Sequence, residues 1–395
     1  MKLLRSDRKP IPVDASTVAA SRAADRAETA FRAAYGRAPA GVWWSPATLP
    51  LLGDYAGGHD ARVLSVALPW GVAAALAPAP APAVDIRTTR SPNRAVRFTA
   101  PRLPRRLPDW AAALPAVLTA AAHQGRGLQI MLDLGPFDAA PALTAAYAVL
   151  LAATELHQGA DAAADRSALA RTARELLADH LVPDAAEAIP DTALRATADH
   201  AFLADFWTGR GRLLPLPLAQ AGLRLLVVDA GTGPLPKRTL AQRREECARA
   251  ARALGVSSLR EVSDLAAALA RIDDAALRHR IRHAVAETHR VNAVVGLLRA
   301  GSAAEIGPAL NAGHLSLRDA FATVCPRLDT AADTAVRKGA RGARMAGSGH
   351  RAAALVPAER VDAVRAGIHA AFTARRWSAP LLGVADPAPG AHRLR

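Results

Sequence analysis

Residues 223–231 read LRLLVVDAG, a continuous apolar run closed by Gly-Thr-Gly, and this is the clearest strand in the chain. Whatever fold forms must bury it. Half of the 395 residues are apolar, yet aromatics make up only 4%, so the covering layer has to come from many small aliphatic groups. Ala, Leu, Arg and Glu are good helix formers, so helices are expected to outweigh strands. The length suffices for two domains with their own cores.

Along the chain, 16–35 reads as an amphipathic helix with Ser16 as its cap, ended by GRAP. GVWWSPATLPLLGDYAGGHD gives short strand-like runs broken by Pro and Gly, and RVLSVALPWGVAAALA is an apolar, strand-rich stretch. The PAPAP alternation at 78–82 predicts a turn or loop, followed by VDIRTTR and RAVRFTA as a hairpin joined by Ser91, Pro92 and Asn93. A helix near 109–123, the strand GLQIMLDLG and the long buried helix PALTAAYAVLLAATELHQ come next. Helical character is expected over 163–181 and again over 191–206, with Pro183 and Pro190 between. LPLPLAQAG changes the composition and sets the expected domain boundary at 218/219. Beyond it, 240–300 is helical, and 315–340 forms a helix that leads into the glycine turn GARMAGSGH, the strand AAALVP and a helix over 358–374.

Several functions are disfavoured by composition. The opening MKLLRSDRKPIPVD has no apolar leader core, and no uncharged apolar run reaches membrane-spanning length, so a soluble cytoplasmic protein is expected. Cys247 and Cys325 lack CxxC partners and read as buried free thiols. The formal charge of +15 is spread over scattered arginines without a nucleic-acid motif, so a nucleic-acid partner is not expected. His279, His283 and Glu287 recur every four residues on one helix face, a metal-like spacing, but Arg278, Arg280 and Arg282 surround them and a solvated basic face is the expectation. The strand with DAGTG is similar to a phosphate-binding turn of the hexokinase and actin class, without that class's second acidic turn. GARMAGSGH, by itself, is open between an anion-binding nest and a tight turn.

The order of segments narrows these choices. GLRLLVVDAG, LAQRREECARAARALGVSSLREV, HRIRHAVAETHRVNAVVGLLRAG, GHLSLRDAFATVCPRLDTAADTA and GARMAGSGH resemble the corresponding galactokinase segments in the same order. So do FRAAYGRAPAGVW, SPATLPLLGDY, where that family has its PGRVNLIGEHTDY sugar signature, and ALPWGV. This resemblance to the galactokinases of the GHMP kinase superfamily implies an α+β fold of two domains. Residues 1–218 would form a ribosomal protein S5 domain 2-like unit with the sugar signature, and residues 219–395 a ferredoxin-like unit.

It also implies a reaction, ATP-dependent phosphorylation of galactose at C1 by a monomer using Mg2+. Asp191 in EAIPDT takes the place of the catalytic aspartate, and Asp179, twelve residues earlier, that of the magnesium-binding glutamate. Asp54 and Tyr55 fall on the sugar signature, and Gly135, Gly347, Ser348 and Gly349 on the nucleotide motifs. The departures are as specific. LGPFDAAPAL replaces the phosphate loop GLSSSA, losing its serines and two amide donors and adding Asp138. Thr48 replaces the arginine that faces the transferred phosphate, Pro50 the asparagine, Gly57 the second signature aspartate, and Leu240 the tyrosine that stacks on the sugar. A catalytically impaired relative kept as a sugar-binding or regulatory protein is the alternative these departures leave open.

Overall fold

In the computed structural model the chain is described over residues 15–55, 61–80, 83–99, 106–122, 127–135, 140–181, 189–347 and 349–395. The first half is built on one large sheet. Helix α1 (Ala15–Tyr35) leads into β1 (Gly41–Leu52), β2 (Arg62–Ala79), β3 (Ala83–Thr88), β4 (Ser91–Thr99), α2 (Leu114–Ala122) and β5 (Gly127–Leu134). Then come α3 (Pro141–Gln158), α4 (Ala160–Ala164), α5 (Arg166–Leu176), α6 (Pro190–Arg195), β6 (His200–Asp205) and β7 (Arg210–Pro215). The second half comprises β8 (Leu223–Asp229), α7 (Lys237–Leu254), α8 (Leu265–Ala270), α9 (Ala275–Arg299), α10 (Gly307–Ser316), α11 (Pro326–Arg337), β9 (Gly342–Ala346), β10 (Arg351–Pro357), α12 (Val361–Ala374), β11 (Leu381–Ala385) and β12 (His392–Arg393).

The eight-stranded sheet runs β12-β1-β2-β5-β3-β4, with β6 added on β2 and β7 on β6. The second sheet is antiparallel, β11-β8-β10-β9. LRLLVVD is therefore an inner strand, paired on both edges and packed on both faces: Leu226 and Val228 meet the helices of the second half, while Leu225 and Val227 face the first sheet. That second contact matters for architecture. Leu49, Leu64, Val66 and Leu203 of the first sheet share one core with β8, β10 and Val291, Val294 and Leu298 of α9, so the halves meet through hydrophobic packing. The expected division at 218/219 falls between β7 and β8, but the chain's last strand, β12, returns to pair with β1.

Local departures from the sequence expectations have local causes. GVWWSPATLPLL is one twelve-residue strand, because its prolines sit at two register shifts against β2 that absorb the missing amides. The hairpin of β3 and β4 forms, but its turn is Thr89 and Arg90, since Thr88 pairs with Ser91. The helix expected over 191–206 stops at Arg195; Asp199 adopts a left-handed φ of 58°, and His200–Asp205 pairs as strand β6 with β2. The helix expected over 315–340 is broken by a π-helical turn, Leu317–Phe321, and by the left-handed Ala322 ahead of Pro326. GARMA, expected as part of a turn, is the edge strand β9. Cys247 is buried as expected, whereas Cys325 is only half-buried. No described helix is long and apolar enough to cross a membrane.

Candidate functional site

Asp191 lies in the first turn of α6 with only 6% of its surface exposed. Its two carboxylate oxygens are held by different arginines: Oδ1 accepts from Nη1 of Arg195 at 2.7 Å, and Oδ2 accepts from Nη1 of Arg174, which reaches across from α5. Arg195 sits one helical turn from Asp191, and its guanidinium also lies over the Phe202 ring at 4.9 Å. Ser65 of β2 and Thr192 share a hydrogen bond of 2.6 Å, which ties α6 to the large sheet. Tyr147, fully buried on α3, has its phenol pushed well above the ordinary value, first by burial and then by the nearby Asp191 charge. One anion, two cations and a protonated phenol thus converge where α3, α5 and α6 meet the sheet.

Asp54 and Tyr55 belong to a different cluster, sealed between the halves. Arg344, from the middle of β9, donates to Oδ1 of Asp54 at 2.5 Å and to Oε1 of Glu287 at 2.9 Å, and all three side chains are fully buried. Its Nη1 also donates to the Leu51 carbonyl, at 2.9 Å. Glu287 further accepts from the Gly53 amide and from Arg290 Nε. Burial works to raise Glu287, but the Arg344 and Arg290 charges outweigh it and hold the group down at about 2. Asp54 goes the other way. Burial pushes it up to about 7, with Arg344 pulling down and the Glu287 charge pushing further up. The second Asp54 oxygen accepts from the Gly347 amide, and the Tyr55 hydroxyl donates to the Gly347 carbonyl. Both residues therefore brace the glycine turn after β9 from inside the protein.

This overturns the expected basic solvent face on α9. His283 and Glu287 are buried and only His279 is exposed; His283 packs against the Phe321 ring at 4.7 Å, and burial lowers it to about 4, which leaves a neutral imidazole. Arg280 is buried too, paired with Glu246 at 2.7 Å. Among the described residues no group of three metal-ligating side chains occurs.

The remaining candidates do not present open donors. The Gly135 amide donates to the Gly71 carbonyl at 3.0 Å, so it is spent holding β5 to β2. The Gly347 amide is spent on Asp54, and a Cβ at Gly349, whose φ is +84°, would run into the Leu235 side chain. Ser348 and the segment 136–139, with Asp138, lie outside the described residues, as does Gly57. Asp179 is exposed in the turn after α5. Leu240, which the resemblance sets at the sugar-stacking tyrosine, is buried in the core of the second half. Arg174 and Arg344 escaped the sequence reading because each meets its partner only through the fold, and Glu287, noticed there only for its spacing from two histidines, meets Arg344 the same way. Arg195 carried one legible signal, its place four residues after Asp191 on a helix.

Comparison with known proteins agrees with this placement of segments. Residues 294–374 match the family model described as GHMP kinases C terminal, and residues 29–78 the galactokinase galactose-binding signature. Among solved structures, Lactococcus lactis galactokinase complexed with galactose superposes with a TM-score of 0.81 at 20% identity, covering 93% of this chain and 98% of that one. L. major mevalonate kinase in complex with R-mevalonate gives 0.60 at 16% identity, covering 89% of this chain and 98% of that one, which places the fold among the GHMP kinases. In sequence, the galactokinase of Mycobacterium tuberculosis (strain H37Rv) is 30% identical over 89% of this chain and 98% of its own length. The galactokinase of Streptomyces coelicolor is 35% identical over 92% of this chain and 97% of its own, and on that full-length relationship the chain belongs to the galactokinase family.

Proposed function

We propose that the protein transfers the γ-phosphoryl group of ATP to the C1 hydroxyl of galactose, with Asp191 as the base. The observation that carries this reading is the buried carboxylate of Asp191, fixed between two guanidiniums, on the residue that the resemblance assigns to the family's catalytic aspartate. Each of its oxygens retains a lone pair beyond the arginine bond it accepts. One of them takes the hydroxyl proton as the C1 oxygen forms its bond to the γ-phosphorus and the bond to the β–γ bridging oxygen breaks, releasing ADP. Positioning and charge stabilisation supply most of the rate in such transfers.

The supporting parts act from behind. Asp54 and Tyr55 hold the turn at Gly347, where the segment assigned by the resemblance to the nucleotide begins. Residues 1–218 would carry the base and sugar signature, and 219–395 the loop after β9. For a divalent ion the described residues fit poorly: they hold no group of three metal-ligating side chains, Asp179 stands exposed, and Asp191 is committed to arginines. No step is therefore routed through a metal held by this chain. The alternative of a fold kept for binding alone gains no support from the full-length family relationship.

A coupled ADP-release assay with galactose, run beside titration calorimetry with ATP, tests the reading. Galactose-dependent ADP release that disappears in Asp191→Ala is the expected result. Absence of nucleotide binding at millimolar ATP, or turnover unchanged in Asp191→Ala, would overturn it.

A further inference from the structure

We infer that Arg174 supplies the positive charge that faces the transferred phosphoryl group, replacing from α5 a cation that β1 lacks at Thr48. This rests on the reading of Asp191 as the base. Thr48 pairs with Ala67 and Pro50 with Ser65, so these four side chains share one face of the large sheet. Helix α6 lies on that face: Thr192 bonds Ser65, and Ala196 packs on Ala67. Thr48 thus looks toward the helix that bears Asp191. Its hydroxyl is buried and finds no hydrogen-bond partner among the described residues, so nothing at this β1 position offers charge to an incoming phosphate.

The two arginines on Asp191 are not equivalent. Arg195 is fixed twice, by an ion pair within its own helix and by the Phe202 ring, which is the arrangement of a structural clamp. Arg174 approaches from another element; its side chain is 30% exposed, close to the 26% of Arg195, so what sets it apart is its origin on α5. Through Nη1 it touches Asp191, and its other N–H groups have no partner among the described residues. A guanidinium offers five donors in a planar fork, so one arginine can hold the base with one nitrogen and a phosphoryl oxygen with another. The demand for such a cation is raised by the amides at Gly135 and Gly347, both spent inside the fold.

The test compares Arg174→Gln, Arg174→Lys and Arg195→Gln in the full chain. In galactose-dependent turnover, Arg174→Gln is expected to lower kcat by about 100-fold or more with KM for galactose changed by less than about threefold, the pattern of an interaction made in the transition state. Arg174→Lys should recover part of that loss, and Arg195→Gln should lower the melting temperature more than kcat. Independently of turnover, calorimetry in the presence of galactose compares AMP-PNP with ADP: the wild type should prefer the triphosphate analogue, and Arg174→Gln should lose the preference. A kcat in Arg174→Gln within about threefold of wild type overturns the assignment. So does joint loss of kcat, galactose affinity and melting temperature that Arg174→Lys does not recover. If the wild type shows no turnover, the reading of Asp191 as base fails, and the nucleotide comparison decides alone: a preference that is absent in the wild type or unchanged in Arg174→Gln sinks the role of Arg174.

Discussion

Nη2 of Arg344 lies 2.5 Å from Oδ1 of Asp54, across 290 residues of chain, and neither side chain has any exposed surface. Arg344 is shared with Glu287, so one guanidinium compensates two buried carboxylates while Gly53, Arg290 and Gly347 fill their remaining acceptor sites. The network spans β1's end, α9 and β9, which makes it the polar lock between the two halves. Removing the cation strands Asp54 without a counter-charge and leaves Glu287 with Arg290 alone. Arg344→Met is expected to cost about 3 to 5 kcal/mol in urea unfolding, and Asp54→Asn added to it should recover part of that loss. A cost below about 1 kcal/mol would show that water reaches the cluster.

The raised Asp54 also sets a pH dependence. Its folded value of about 7 lies above the ordinary aspartate value of 3.8, so between them the folded state holds the proton more tightly than the unfolded chain. Stability from this group is therefore complete below the unfolded value and is lost as pH rises through about 7. Relative to Asp54→Asn, the wild type should lose roughly 2 to 4 kcal/mol between acid and mildly alkaline conditions. Melting curves of the two proteins at matched pH check this, and a constant difference across the range would contradict it.

Asp191→Asn keeps the shape of the side chain and removes its capacity to take a proton. A fall in kcat of about 10²- to 10⁴-fold is expected, with KM for galactose little changed. Because Arg174 and Arg195 are each partly exposed, losing their partner should be tolerated structurally, and far-ultraviolet circular dichroism should be unaltered.

Gly53 precedes Asp54 with a φ of +89°, and a Cβ there would stand 1.8 Å from the Arg62 carbonyl oxygen. Backbone faces it, so no side chain can swing aside. Gly53→Ala should destabilise by roughly 2 to 4 kcal/mol in urea unfolding. It should also weaken the hold on Glu287, whose Oε1 the Gly53 amide reaches at 2.8 Å. Gly222→Ala is the control. Its φ is +66°, but open space surrounds the added methyl, so its cost should be about 1 kcal/mol.

Much of the scaffold was legible before any coordinates. The LRLLVVD strand and the buried helix Pro141–Gln158 follow from apolar runs and from glycine and proline punctuation, which act over a few residues, and the family showed in the resemblance of successive segments. Strands β6, β7, β9, β11 and β12 were not legible, because short segments become strands only when a neighbouring strand offers its hydrogen bonds. The same divide runs through the site. The sequence places Asp191 on a helix with Arg195 one turn away, and the family resemblance puts Thr48 where a cation would stand. Only the tertiary structure brings Arg174 onto Asp191 and buries Asp54, Glu287 and Arg344 together. A charged side chain reads as solvated from its neighbours in sequence. What allows it to be buried is a counter-charge 17, 57 or 290 residues away in these pairs, and a separation beyond a few helical turns leaves no local pattern to read.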